Sequence, residues 1–195
     1  MASSDTKVLL ITGASSGIGA ATARAAADAG WRLALVARSR DKLDALVREL
    51  GDDRADAFAC DVTDYTDQTR MVETVASTFG RIDAVFANAG TGGKPGGFSG
   101  APPESWRTMV DVNILGLAYT LRASLAYVKA AQGHVLLTGS IAGRRVISGS
   151  MYSATKWAVS GIGYALREEL KGTGVRVTLL EPGMVDTPFF DEPKP

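Results

Sequence analysis

The sequence has a single cysteine, Cys60, and a single histidine, His134. One cysteine excludes an intrachain disulfide and is compatible with a reducing compartment; Cys60 reads as a small core residue. One histidine argues against an imidazole-built metal site and against a histidine-based triad, and His134, at the start of an apolar run, reads as structural. Neither sign of charge is in excess: 21 basic residues balance 21 acidic ones, which gives no electrostatic footprint for nucleic acid or an anionic membrane. No uncharged apolar run approaches the roughly 18 residues of a membrane span. Residues 1–7 are short and polar, without the basic-then-apolar build of a secretory leader. Repeats, charge blocks and low-complexity linkers are also missing. The expectation is a soluble, cytoplasmic protein that binds neither nucleic acid nor membrane.

What is present is a regular alternation. At 195 residues, 46% apolar and 22% charged, the chain suits a single domain over residues 1–195. Unalternating apolar runs suggest strands at 7–12, 31–38, 55–60, 82–87, 134–138 and 174–180, as a sheet covered on both faces requires. Between them lie segments of helical composition, ending at Ala29 or spanning 41–50, 64–79, 103–129 and 151–171. This pattern predicts an α/β, doubly wound parallel sheet in the order 3-2-1-4-5-6.

The first strand runs straight into Gly13-Ala14-Ser15-Ser16-Gly17-Ile18-Gly19 and then a helix. Gly13 permits the turn, Gly17 lets backbone N–H groups approach a pyrophosphate, and Gly19 lets helix and strand pack closely; the helix N-terminus favours negative charge. The spacing is G-x-x-x-G-x-G, which alone is also compatible with a simple strand-to-helix loop. At the end of the second strand an adenine ribose with a free 2′-hydroxyl usually meets Asp or Glu. Here stand Ala37 and Arg38, with Arg40 close behind. A guanidinium pairs well with phosphate, so the residues favour NADP(H) over NAD(H), the alternative being a solvated arginine. Asp61 either accepts from an adenine amino group or caps the next helix.

Four further positions carry chemistry. Asn113 lies in the long helical stretch and needs partners if buried. Ser140 follows the fifth strand, at the end that faces a ligand crevice. Tyr152 and Lys156 are four residues apart, on one face of a helix. A free phenol has a pKa of about 10, and a nearby cation lowers it into the range of a useful acid or base; an i,i+4 surface pair is the plain alternative. The segment 91–97 is too glycine-rich for regular structure and forms either a substrate entrance or a connector.

Taken together, Thr12 to Gly19, Asn88-Ala89-Gly90, Asn113, Ser140, Tyr152-Ser153-Ala154-Thr155-Lys156 and Pro182-Gly183 resemble the short-chain dehydrogenase/reductase family in order and spacing, over nearly the whole chain. The resemblance implies a Rossmann-like fold and hydride transfer between a nicotinamide and a carbonyl or alcohol. Tyr152 would be the general acid or base, Lys156 would bind the nicotinamide ribose and lower the tyrosine pKa, and Ser140 would bond the substrate oxygen. Asn113 would hold a helix kink and a water. Val185 and Thr187 would hold the carboxamide, beside Pro182 and Gly183. Asp61, Val62, Asn88, Ala89 and Gly90 would surround the adenosine half. Ala37-Arg38 resembles the NADP-preferring branch, NAD(H) remaining possible. A small-molecule carbonyl or alcohol substrate and a homodimer or homotetramer are implied as well.

Family members usually run to about 250 residues, so the resemblance implies a further C-terminal segment with a seventh strand. Without it, 175–180 would be an unpaired edge. Glu181 before Pro182 is a departure, read as a local hydrogen-bonding residue rather than a tuner of substrate choice. The expected pocket is bounded by Ile141, Ala142, Arg144, Val146 and Ile147, the loop after Gly90 and the segment after Thr187. The rival function is a dinucleotide-binding sensor or scaffold without turnover, which would need only the glycine loop.

Overall fold

A computed structural model describes residues 6–189. The readings of residues 1–5 and of the proline-rich end after Phe189 lie outside the described residues. Six parallel strands form one sheet in the order β3-β2-β1-β4-β5-β6. They are β1 (Val8–Thr12), β2 (Arg32–Ala37), β3 (Ala55–Ala59), β4 (Ala84–Ala87), β5 (His134–Thr138) and β6 (Arg176–Leu180). The expected order is therefore the observed one. β1 and β4 are buried along their whole length, which is why their sequences show no alternation of polar and apolar residues.

Successive side chains of each strand serve opposite cores. Leu9 and Ile11 join Leu33, Leu35 and Phe86 under α1 (Gly17–Asp28) and α2 (Arg40–Leu50). Leu10 joins Val36, Val85, Val135 and Leu137 on the other face, under α3 (Tyr65–Phe79). The chain leaves β1 toward β2 and β3, then crosses to β4, β5 and β6. Connections of opposite sense at β1 and β4 part there, and the crevice opens at the C-terminal ends of those strands.

Elements follow the sequence reading with differences at their ends. β4 begins two residues later than expected, and the Asp83 side chain ties the approach to it to the start of β1. Its carboxylate accepts from the Val8 N–H at 2.8 Å and is gripped by Arg81 at 2.6 Å, which fixes where β1 starts. The expected long helix at 103–129 is three pieces. A one-turn helix α4 (Gly97–Gly100) precedes α5 (Pro103–Val110), then a π-helical segment covers Asp111–Gly116, and α6 (Leu117–Ala130) completes the run. A 3₁₀ turn, Ile141–Gly143, leads from β5 toward α7 (Met151–Glu169), and α7 packs with α6 against the second core. His134 is tied down structurally, its Nε2 lying 2.8 Å from Thr178 Oγ1 across the β5/β6 ladder. Cys60 is buried, and burial, followed by the nearby Asp67 carboxylate, pushes its thiol up to about 12.

Candidate active site

Two threonines at strand ends hold the crevice edge together. Thr12 Oγ1 accepts from the Asn88 and Ala89 N–H groups at 3.0 and 3.1 Å. The Asn88 amide donates back to the Thr12 carbonyl at 3.1 Å, and its oxygen accepts from Thr138 Oγ1 at 3.0 Å. The ends of β1, β4 and β5 are thus stitched into one rim. Asn88 commits its side chain to that rim, and with Ala89 and Gly90 it lines the cleft beside it.

The loop after β1 has the shape the glycines imply. Gly13 and Gly17 adopt φ of 68° and 51°, where L side chains are strained. A Cβ on Gly19 would collide with the Gly13 carbonyl oxygen, so α1 sits as close to β1 as it does only with hydrogen there. Ser16 precedes α1 in an extended conformation and makes no side-chain cap, and no acidic residue occupies the first turn. The first N–H groups of α1 therefore face a space lined by Ser15, Ser16, Gly17 and Ile18, suited to an anion. A dinucleotide pyrophosphate fits this cradle, and Thr187 closes over it, its Cβ 3.3 Å from where a Gly17 Cβ would be.

The cleft is continuous, with a volume of about 750 Å³. At one end it is bounded by Ala37, Arg38, Asp61 and Val62, and at the other by Ser140, Tyr152 and Lys156. Arg38 is exposed on the cleft wall. Arg40 is not available to a ligand in the same way, since it binds Asp44 at 2.8 Å and the Ala57 carbonyl at 3.1 Å. Asp61 does not cap α3; Asp64 does so, accepting from the Asp67 N–H at 3.0 Å, while Asp61 binds Thr63. Pro182, Gly183 and Val185 line the cleft on the far side of β5.

The chemistry-bearing residues converge because α7 runs back along the crevice. Ser150 starts this helix by accepting from the Ser153 N–H at 3.0 Å, and Ser153 Oγ donates to the Ala142 carbonyl at 2.6 Å. That contact locks α7 to the turn carrying Ser140, whose Oγ accepts from the Ala142 N–H at 3.1 Å. Burial raises the Tyr152 phenol above its ordinary value, and the Ser140 hydroxyl offsets part of the rise. Lys156 is 3% exposed, donates to the Thr138 carbonyl at 2.8 Å and lies 5.6 Å from the Tyr152 ring centre. Burial alone pushes its ammonium down to about 8. The cation and the phenol are neighbours, yet desolvation, rather than mutual stabilisation, dominates both in this structure.

Asn113 sits in the π-helical segment and is 1% exposed. Its amide donates to the Thr91 carbonyl at 3.0 Å and to Thr155 Oγ1 at 3.1 Å, and its oxygen accepts from the Thr91 N–H at 2.8 Å. It therefore treats Thr91 as a strand would, and joins the loop after β4 to α7 one residue before Lys156. A π-helical turn inside an α-helix is the backbone form of the expected kink.

Two expected pocket residues are elsewhere. Arg144 and Val146 do not line the cleft. Arg144 turns outward to Glu181, Nε to Oε1 2.5 Å, and covers the Tyr164 ring at 5.3 Å. Glu181 is thus a local partner, as read from the sequence, and it also accepts from Ser160 at 3.4 Å. The sequence reading missed Thr138, whose carbonyl holds Lys156, and the cleft residues Trp106, Met109 and Met151. A strand-terminal threonine at the crevice edge was the available signal for the first; the others face the cleft only by virtue of helix packing.

An open α/β sheet with a glycine cradle and a phenol, hydroxyl and ammonium at its crevice defines a nucleotide-binding oxidoreductase of Rossmann type. The chain belongs to the short chain dehydrogenase family, whose profile matches residues 7–194. An uncharacterized oxidoreductase of Staphylococcus haemolyticus is 41% identical over 187 residues, 95% of this chain and 80% of that protein. The alcohol dehydrogenase of the archaeon Thermococcus sibiricus, solved with 5-hydroxy-NADP, superposes with a TM-score of 0.89 at 37% identity, covering 95% of this chain and 79% of that one. A 3-ketoacyl-(acyl-carrier-protein) reductase of Brucella melitensis, solved with NADH, gives 0.90 at 32% identity, covering 96% and 79%. Solved relatives thus hold both phosphorylated and unphosphorylated dinucleotides, and the family's activity is oxidoreduction. No helix among the described residues is long and apolar enough to cross a membrane.

Proposed function

We propose that the protein interconverts a carbonyl compound and an alcohol with NADP(H), with Tyr152 as the acid in reduction and the base in oxidation. The observation that carries this reading is the convergence of Ser140, Tyr152 and Lys156 on one cleft shared with the glycine cradle, with Asn113 buried behind it and bonded to Thr155. The dinucleotide, when bound, supplies or accepts the hydride. Gly13, Ser15, Ser16, Gly17, Ile18 and Gly19 would hold its pyrophosphate, with Asp61, Val62, Asn88, Ala89 and Gly90 around the adenosine half. Pro182, Gly183, Val185 and Thr187 would hold the nicotinamide end. Arg38 favours a ribose 2′-phosphate because its guanidinium stands at the end of β2, without, among the described residues, the charge partner that Arg40 has in Asp44.

Ser140 and Tyr152 would grip the substrate oxygen together, and the phenol would give its proton as negative charge develops there. Lys156 would steady the resulting phenolate once a ligand's hydroxyl groups join it. The same proposal includes a homo-oligomer, since Trp157 and Tyr164 stand half exposed on one face of α7, with Leu115 exposed on the neighbouring π-helical segment.

A fluorescence titration with NADPH and NADH, combined with turnover of a ketone and aldehyde panel by wild type and Tyr152→Phe, tests this reading. Tighter NADPH binding, turnover by wild type and a loss of roughly 10²–10⁴-fold in the variant with cofactor affinity retained are expected. Equal or tighter NADH binding would remove the Arg38 argument, and undiminished activity of the variant would remove Tyr152 from the reaction.

A further inference from the structure

We infer that the substrate half of the cleft is built for an uncharged carbonyl compound bearing apolar groups, an alkyl or aryl ketone or aldehyde, in preference to a polyol, a 2-oxo acid or an amino acid. This rests on the carbonyl–alcohol reading above and specifies its substrate. Around Ser140 and Tyr152 the walls are Trp106 and Met109 from α5, Ile141, Ile147, Met151 and Phe189. The Phe189 ring lies 5.8 Å from the Tyr152 ring. Ile141 and Ile147 keep 43% and 46% of their surface exposed, so apolar area borders the reacting phenol and is left for a ligand to cover.

Three hydroxyls of the same walls already have partners within the fold. Thr108 Oγ1 donates to the Glu104 carbonyl at 3.0 Å, Thr91 Oγ1 to the Gly92 carbonyl at 3.3 Å, and Ser150 Oγ serves as the α7 cap. A polyol buried here would leave hydroxyls without partners, which is costly. The guanidinium best placed to receive a carboxylate, that of Arg144, points to Glu181 outside the cleft. Among the described lining residues the charged groups are Arg38 and Asp61 at the far end, Lys156 bound to the Thr138 carbonyl, and Lys94 exposed on the glycine-rich loop at the mouth. Two hydrogen-bonding groups beside an apolar wall recognise one oxygen on an otherwise apolar molecule.

The test compares kcat/KM for an aryl alkyl ketone, a 2-oxo acid of similar size and dihydroxyacetone with the cofactor that binds best. Alongside it, the ketone is titrated calorimetrically into the protein saturated with oxidised cofactor, where no turnover occurs. The ketone should exceed the others by at least tenfold and bind with a negative heat-capacity change. Ile147→Glu should lower its kcat/KM by about 10–200-fold while leaving the cofactor dissociation constant unchanged. Preference for the oxo acid or the triose, or ketone binding insensitive to Ile147→Glu, would overturn the inference while the carbonyl reading stands. Ketone binding with cofactor bound but no turnover of any substrate would instead sink the carbonyl reading, and the substrate assignment that rests on it would fall with it.

Discussion

Lys156 is the residue at which folding and function conflict. Its ammonium is buried, held by one carbonyl at 2.8 Å and lowered to about 8 from 10.5 by desolvation. Between those values the unfolded chain binds a proton that the folded one does not, so this group's contribution to stability rises with pH through the window 8 to 10.5 and is lost as pH falls through it. At pH 7 the penalty is on the order of 3 kcal/mol. Lys156→Met should therefore gain most over wild type at pH 7 and lose that advantage toward pH 10.5. Urea unfolding of both proteins across pH 7–10 checks it, and the difference cancels the opposite trend from Cys60, whose raised thiol is in both. A variant advantage independent of pH would mean that Lys156 is not desolvated. A ligand that brings hydroxyl groups to Nζ would relieve the same penalty and raise the ammonium's pKa, so that its charge beside Tyr152 persists to higher pH.

The elements meet through a few contacts that leave no slack. Helix α1 approaches β1 over Gly19, and a methyl group there would collide with the Gly13 carbonyl. Gly19→Ala should push the N-terminus of α1 away from the phosphate space and weaken dinucleotide binding by more than about tenfold, a shift of roughly 1.4 kcal/mol in the titration. Unchanged affinity would show that the loop adjusts freely. The π-helical segment depends on Asn113, which satisfies both backbone groups of Thr91. Asn113→Ala leaves buried polar groups unmatched and should cost about 1–3 kcal/mol in urea unfolding. If instead only turnover fell and stability held, the amide's place would be in the reaction rather than in joining the loop after β4 to α7. Composition along 103–130 is ordinarily helical and does not show the interruption, which is stabilised by partners 22 and 42 residues away; the kink at Asn113 is expected only from the resemblance to the family.

At the scale of the molecule, one sheet divides two cores and places all the chemistry on one edge. Opposed connections from β1 and β4 open the crevice, and the rim of Thr12, Asn88 and Thr138 makes it rigid. The outer face of α7 exposes Trp157 at 49% and Tyr164 at 42%, aromatic area at a spacing of seven residues. Light scattering should give a dimer or tetramer, and Trp157→Glu should shift it toward smaller species. A wild-type monomer at micromolar concentration would refute the oligomer.

The sequence by itself determined the sheet order, the glycine cradle and the placement of Tyr152 on α7, because these rest on local signals: apolar runs, turn residues and an i,i+4 spacing. The six strands appear within two residues of their expected limits at every end, and the family assignment follows from the same ordered motifs. Only the tertiary structure decided which arginine faces the cleft, since Arg38 and Arg40 differ through Asp44 and Ala57. It alone also showed Arg144 bound to Glu181, 37 residues away, and Lys156 desolvated against Thr138. Those outcomes depend on groups that meet only when β5, β6 and α7 pack, and no pattern along the chain records their competition for the same charges and hydrogen bonds.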